Sequence, residues 1–137
     1  MLTAQEMSDR FEIQDLIARY SQLLDLKAWD ELDACFTEDC VLDYTATGAI
    51  KGSWPEHKSY DIEMLTPFKG TQHHMGLPII KIDGDTATSR TICFNPMVLN
   101  EKKVFYVGLW YNDQLVRTAD GWRFRERIEE LAYFDGL

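Results

Sequence analysis

The stretch Ile79-Ile80-Lys81-Ile82-Asp83-Gly84-Asp85-Thr86-Ala87-Thr88 decides the fold class. Ile79, Ile80 and Ile82 are β-branched and run into a turn sequence, Asp83-Gly84-Asp85. Thr86 to Phe94 then alternates small or β-branched residues with polar ones. The pattern predicts a strand, a tight turn and a returning strand. Two more strands follow, Val104 to Arg117 and Trp122 to Phe134, joined as a hairpin across Ala119-Asp120-Gly121.

Upstream the texture is helical. Thr3-Ala4-Gln5-Glu6 has the form of a capping box, and Met7, Phe11, Leu16, Ile17, Tyr20, Leu23 and Leu24 recur at helical spacing. A first helix is expected from about residue 4 to 24. After Asp25-Leu26-Lys27, a shorter helix carries Ala28, Trp29, Leu32 and Phe36 and ends at Thr37-Glu38-Asp39. Val41 to Thr47, stopping at Gly48, reads as the first strand. Ser53-Trp54-Pro55-Glu56 starts a third helix that runs to Phe68 and is closed by Pro67 and Gly70. Helices first and antiparallel strands after predict an α+β fold, with helices covering one face of a strongly bent sheet.

The 137 residues show no repeat, low-complexity tract or linker, so residues 1–137 are expected to form one domain. At that length a chain buries roughly 68% of its unfolded surface. With 45% hydrophobic and 12% aromatic residues there is material for both a core and a pocket. The net charge of −9 opposes nucleic acid and anionic membranes as partners, and Lys102-Lys103, the densest basic pair, reads as a solvated turn. Cys35, Cys40 and Cys93 lack disulfide or zinc spacing and are expected as buried free thiols. Neither a signal peptide nor a membrane-length apolar run stands out, which places the protein in the cytoplasm as an expectation.

A small set of side chains could carry chemistry. Asp25 ends an amphipathic helix, where it either caps the next helix or serves a site. Tyr20 lies five residues earlier, and Tyr44 sits beside Asp43 on a strand that lets only one of the two point inward, the tyrosine being the one expected there. Each tyrosine could equally be a core aromatic. In Gly70-Thr71-Gln72-His73-His74-Met75-Gly76 strand alternation admits one histidine to an interior, and residue reading alone leaves His73 and His74 both open. His57, among Glu56, Lys58 and Ser59, is expected to face solvent. Asn95, next to Pro96, and Trp110 are further pocket candidates. No companion acid stands at metal-ligand spacing, so no metal is expected, and nucleophile-elbow, phosphate-loop and dinucleotide signatures are missing.

The chain resembles the SnoaL-like branch of the NTF2-like superfamily, and within it scytalone dehydratase and bile-acid 7α-dehydratase. The resemblance rests on Tyr20-x4-Asp25-x3-Trp29-Asp30-Glu31-Leu32, Asp43-Tyr44, Gly70-Thr71-Gln72-His73 and Ile82-Asp83-Gly84-Asp85-Thr86-Ala87-Thr88. It implies a conical α+β barrel, a curved sheet wrapped around N-terminal helices with one apolar cavity. It also implies that Asp25 orients a histidine that takes a proton from carbon next to a carbonyl. The match through Thr71-Gln72 points to His73, whereas the His-x-Gly pattern of the related dehydrochlorinase points to His74. Tyr44 matches a carbonyl-polarising tyrosine and Tyr20 an active-site tyrosine of the bile-acid enzyme, whereas Asn95, a candidate for orienting substrate, stands near a position that is Asp in that enzyme. Leu24 departs from scytalone dehydratase, which has a second catalytic tyrosine there.

The expectation is a lyase or isomerase that works without a cofactor on a small apolar carbonyl or alcohol compound. His73 is its base, Asp25 the orienting acid and Tyr44 the electrophilic donor, with Tyr20, Asn95, Trp110 and His74 binding substrate. Two other functions fit the same resemblance. One is a non-catalytic subunit like the small subunits of ring-hydroxylating dioxygenases, docking through a sheet face with Tyr106, Trp110 and Tyr111. The other is a carrier that binds a ligand without converting it. A homo-oligomer is expected, a trimer before a dimer.

Overall fold

A computed structural model describes residues 1–136. Helix α1 spans Ala4–Asp25, and its start is the expected capping box. Thr3 Oγ1 accepts from the Glu6 amide at 3.1 Å, and the Thr3 amide donates to Glu6 Oε2 at 2.7 Å. Ile13, Leu16, Ile17, Tyr20 and Leu24 form its buried stripe. Buried Asp9 ties the same helix to the sheet. It accepts two bonds from the Arg117 guanidinium, at 2.6 and 2.8 Å, and one from Trp122 Nε1 at 3.1 Å. The Arg117 hydrogen bonds hold its carboxyl down to about 2 against the opposing pull of burial.

Helix α2 is a single turn, Trp29–Leu32, followed by a 3-10 turn over Asp33–Cys35. Strand β1 is Phe36–Asp43, so Phe36 and Thr37-Glu38-Asp39 belong to a strand and not to the end of a helix. The reason is tertiary: Phe36 pairs with Phe124 and Leu42 with Arg127 in the sheet, which outweighs a marginal two-turn helix. Thr45–Thr47, expected as strand, coils into a 3-10 turn that Gly48 ends at φ +89°. A short β2, Lys51–Ser53, precedes α3, Trp54–Leu65, which Ser53 caps and Pro55 enters in its first turn.

The remaining strands are β3 (Gly70–Thr71), β4 (His74–Met75), β5 (Ile79–Asp83), β6 (Thr86–Asn100), β7 (Lys103–Thr118) and β8 (Gly121–Asp135). The expected hairpins are present, with Asp83 opposite Thr86 and Thr118 opposite Gly121. One open mixed sheet runs β2-β1-β8-β7-β6-β3, with β4 and β5 also on β6, and among the described residues only β1 and β8 pair in parallel. Inward residues of β6, β7 and β8 meet α1 across an aromatic core of Tyr20, Phe36, Tyr111, Trp122 and Phe124. Cys35, Cys40 and Cys93 are buried free thiols, as expected. No helix among the described residues is long and apolar enough to cross a membrane.

Deep in this core lies an ion pair. Arg127 and Asp113 are both fully buried, with Nε to Oδ1 at 2.6 Å, and Ser89 Oγ donates to the same carboxylate at 3.0 Å. The guanidinium lies 4.0 to 4.4 Å from the ring centroids of Phe124, Tyr111 and Tyr20. Burial alone pulls its pKa down, but the Asp113 carboxylate and the surrounding hydroxyls hold it above its ordinary value. It therefore stays charged.

Candidate active site

Asp25 is the last residue of α1, and a carboxylate there opposes the negative end of the helix dipole. Lys27, at φ +55°, turns the chain away immediately afterwards. The carboxylate is compensated by three donors from the segment between α3 and β4. His73 Nδ1 lies 2.7 Å from Asp25 Oδ1, the His73 amide donates to Oδ2 at 2.8 Å, and Thr71 Oγ1 donates to Oδ1 at 3.0 Å. A carboxylate only accepts, so Nδ1 carries the ring proton and Nε2 keeps its lone pair. Only 8% of His73 is exposed, and the residue lines a cavity of about 290 Å³.

The same cavity is lined by Tyr20, Tyr44, Asn95 and Tyr111 amid an apolar wall that includes Leu24, Met97, Val107 and Leu109. The Tyr20 and Tyr44 hydroxyls are 3.0 Å apart. One donates to the other, which leaves the acceptor's own proton free for a ligand oxygen. Burial raises both phenols above their ordinary range, so they remain donors at neutral pH. Tyr44 lies inward and Asp43 outward, as strand alternation predicts. Asn95 is 8% exposed, and its side-chain oxygen has no partner.

Four sequence expectations about orientation are corrected. His74 is exposed beside the cavity wall, since consecutive residues point to opposite faces, and it does not line the cavity. Trp110 lies on the outer face of β7 under the Arg90 guanidinium, 4.9 Å from its ring, because Leu109 and Tyr111 take the inner positions. Tyr111 thus belongs to the interior and not to the outer docking face assigned to it. His57 is fully buried instead of solvent-facing. Its Nε2 lies 2.8 Å from the Leu42 carbonyl, and its ring meets the Tyr44 ring edge-on at 4.9 Å. Burial lowers its pKa, so a neutral imidazole braces Tyr44.

Two acids of the cavity wall went unread in the sequence: Asp61 on α3 and Glu129 on β8. Burial pushes both carboxyls up to about 7, and the Thr47 hydroxyl that donates to Glu129 offsets only part of that. A signal for Asp61 exists: Trp54, His57, Asp61 and Leu65 lie three and four apart on one face of α3. The raised pKa has a sign. The folded state keeps the Glu129 proton to a higher pH than the unfolded chain, so its stability contribution falls as pH rises from the carboxylate range through about 7. Glu129→Gln is expected to leave unfolding at pH 4 unchanged and to stabilise the protein at pH 8 by about 2 kcal/mol. Urea denaturation at both pH values checks this, and an equal effect at both would contradict the assignment.

Comparison with known proteins matches this architecture. The model of the SnoaL-like domain fits residues 5–128. The chain belongs to the SnoaL-like family of NTF2-like folds. An uncharacterized Mycobacterium tuberculosis protein is 46% identical over 135 residues, covering 97% of this chain and 92% of that protein. Among solved structures, a Kribbella flavida protein superposes with a TM-score of 0.86 at 25% identity, covering 94% of each chain. A candidate scytalone dehydratase of Novosphingobium aromaticivorans gives 0.89 at 23% identity, covering 99% of this chain and 92% of that one. A type 2 hexachlorocyclohexane dehydrochlorinase gives 0.84 at 17%, covering 96% and 90%. The last two likenesses establish the cone-shaped α+β fold alone. Among the described residues no group of three or more histidine, cysteine or acidic side chains could hold a metal.

Proposed function

We propose that this SnoaL-like protein is a cofactor-independent lyase or isomerase that removes a proton next to a carbonyl in a small, mainly apolar compound. The observation that carries the reading is the hydrogen bond of 2.7 Å between His73 Nδ1 and Asp25, in a residue that also lines the cavity. His73 Nε2 is the base, and Asp25 fixes the tautomer and stabilises the imidazolium. Tyr44, braced by Tyr20 and His57, donates to the developing enolate oxygen, where a fixed donor in a dry pocket is worth about 3 kcal/mol. In a β-hydroxy ketone the imidazolium then returns the proton to the leaving hydroxyl. The C–H electron pair becomes the new double bond, the C–O bond breaks and water departs. In an enolisable ketone the proton returns to carbon.

The test needs no knowledge of the natural substrate. Apolar ketones and β-hydroxy ketones are incubated with the protein in D₂O and followed by NMR. Deuterium incorporation beside the carbonyl, or enone formation, is the expected result. Ligands that bind the cavity without either change would support the carrier function instead.

A homo-oligomer, trimer before dimer, is part of this proposal. The outer sheet face exposes Ile92, Phe94, Tyr106, Ile128 and Tyr133, each about 40 to 60% accessible, and that apolar area suits a second copy. The same face would serve a dioxygenase-type partner. Light scattering of the purified chain is expected to show an oligomer, and a monomer at micromolar concentration would contradict it.

A further inference from the structure

The mechanism above leaves Asp61 and Glu129 without a task, although both face the catalytic cavity. Bringing carboxyls into an apolar cavity is costly unless something pairs with them. Glu129 is 8% exposed, Thr47 donates to it, and the Tyr111 hydroxyl also acts on it as a hydrogen-bond donor, yet neither carries a charge; no hydrogen bond to Asp61 is present among the described residues. The nearby cation of the core, Arg127, bonds Asp113 through Nε and Nη2 at 2.6 and 3.2 Å, has no hydrogen-bond partner at Nη1, and does not line the cavity. Asn95, also nine-tenths buried, offers the same cavity an oxygen with no donor. The cavity thus holds an excess of acceptors. Its aromatic walls, Tyr44, Tyr60, Phe68 and Phe105, add ring faces of the kind that attract ammonium groups.

We propose that Asp61 and Glu129 form a recognition site for an ammonium group carried on an otherwise apolar ligand, with the Asn95 oxygen as a further acceptor. This deepens the lyase proposal and rests on it for the claim that the amine is also a substrate; binding itself does not require the dyad. The aromatic and acidic walls supply charge and ring faces, and the protein's net charge of −9 draws cations toward it. The groups facing Glu129 are Tyr20 of α1, Tyr44 just after β1, Asp61 of α3, Cys93 of β6, Tyr111 of β7 and Arg127 of β8. Burial keeps the two carboxyls largely protonated below about 7 and lets them ionise above it. Binding of a cation therefore strengthens as pH rises through that value.

The experiment is titration calorimetry with 2-phenylethylammonium, against its uncharged counterpart 2-phenylethanol, at pH 5.5 and 8. The ammonium is expected to bind at pH 8 at least about tenfold more tightly than at pH 5.5 and than the alcohol. Glu129→Gln, close to isosteric and still able to accept from Thr47, is expected to remove most of that pH response, and adding Asp61→Asn the rest. Circular dichroism verifies that the variants fold. His73→Ala is expected to bind the ammonium normally with its pH response intact while losing turnover, so failure of the dyad and failure of the amine site are read separately. Equal affinity for the alcohol, a flat pH response, tighter ammonium binding at low pH, or unchanged binding in folded Glu129→Gln/Asp61→Asn would each overturn the proposal.

Discussion

Replacing His73 by alanine is expected to cut deuterium exchange or enone formation by about 10³-fold or more, with the fold intact. General-base catalysis by a positioned side chain contributes about 10² to 10⁴. In the proposed mechanism the imidazole also serves as the acid of the second step, so its loss removes both. The fold should survive because the His73 side chain lines the cavity and its backbone amide, which alanine keeps, still donates to Asp25. Asp25→Asn is expected to fall nearly as far. A carboxamide keeps the size but presents an N–H₂ group among three donors, which turns the imidazole or breaks the contact. His74→Ala, on an exposed side chain, should retain full rates. Wild-type activity in His73→Ala would remove the dyad from the mechanism.

The second large effect is structural. Arg127→Ala should destabilise the protein by about 3 to 5 kcal/mol, because it strands the Asp113 carboxylate in a site with no exposure. For a chain of this size that lowers the melting temperature by about 10 °C or more. Arg127→Met combined with Asp113→Leu should recover much of the loss, since two apolar side chains of similar bulk leave no buried charge. Thermal unfolding of the three proteins checks both statements. A loss under about 1 kcal/mol in Arg127→Ala would show that solvent reaches Asp113. Part of the effect should reach the cavity, because Arg127 stacks on the rings of Tyr20 and Tyr111 that line it.

Local signals were enough for the elements whose residues answer mainly to their neighbours. The capping box, the Leu16-to-Leu24 half of the α1 stripe and the Asp83-Gly84-Asp85 turn depend on contacts a few residues apart, and each is where the sequence predicts it, whereas Met7 and Phe11, expected on the same stripe, are exposed because Asp9 and Ile13 take the inward positions of the first turns. Phe36 and Thr45 to Thr47 were misread because distant pairing with β8, or a turn after Tyr44, overrides a weak local preference. Trp110 and Tyr111 had to lie on opposite faces, but nothing local says which face is inner.

Glu129 shows the limit most clearly. Counting by twos from the buried Trp122 and Phe124 puts Arg127 and Glu129 outside the sheet. The pairing of β8 with β7 slips between Gln114 and Leu115, opposite Glu126 and Phe124, so one extra residue on β8 reverses the alternation and turns both side chains inward. A bulge is a tertiary event with almost no local signature.

By itself the sequence determined the order of helices and strands, the α+β class, the resemblance that joins Asp25 to a histidine, and the inward choice of Tyr44 over Asp43. Tertiary structure decided which histidine meets Asp25, which aromatic ring faces the cavity, and that two unread acids face it too. The reason is physical: helical stripes and turns are set over three or four residues. A site is set by contacts 48 residues apart, as between Asp25 and His73, and by the register that brings them together.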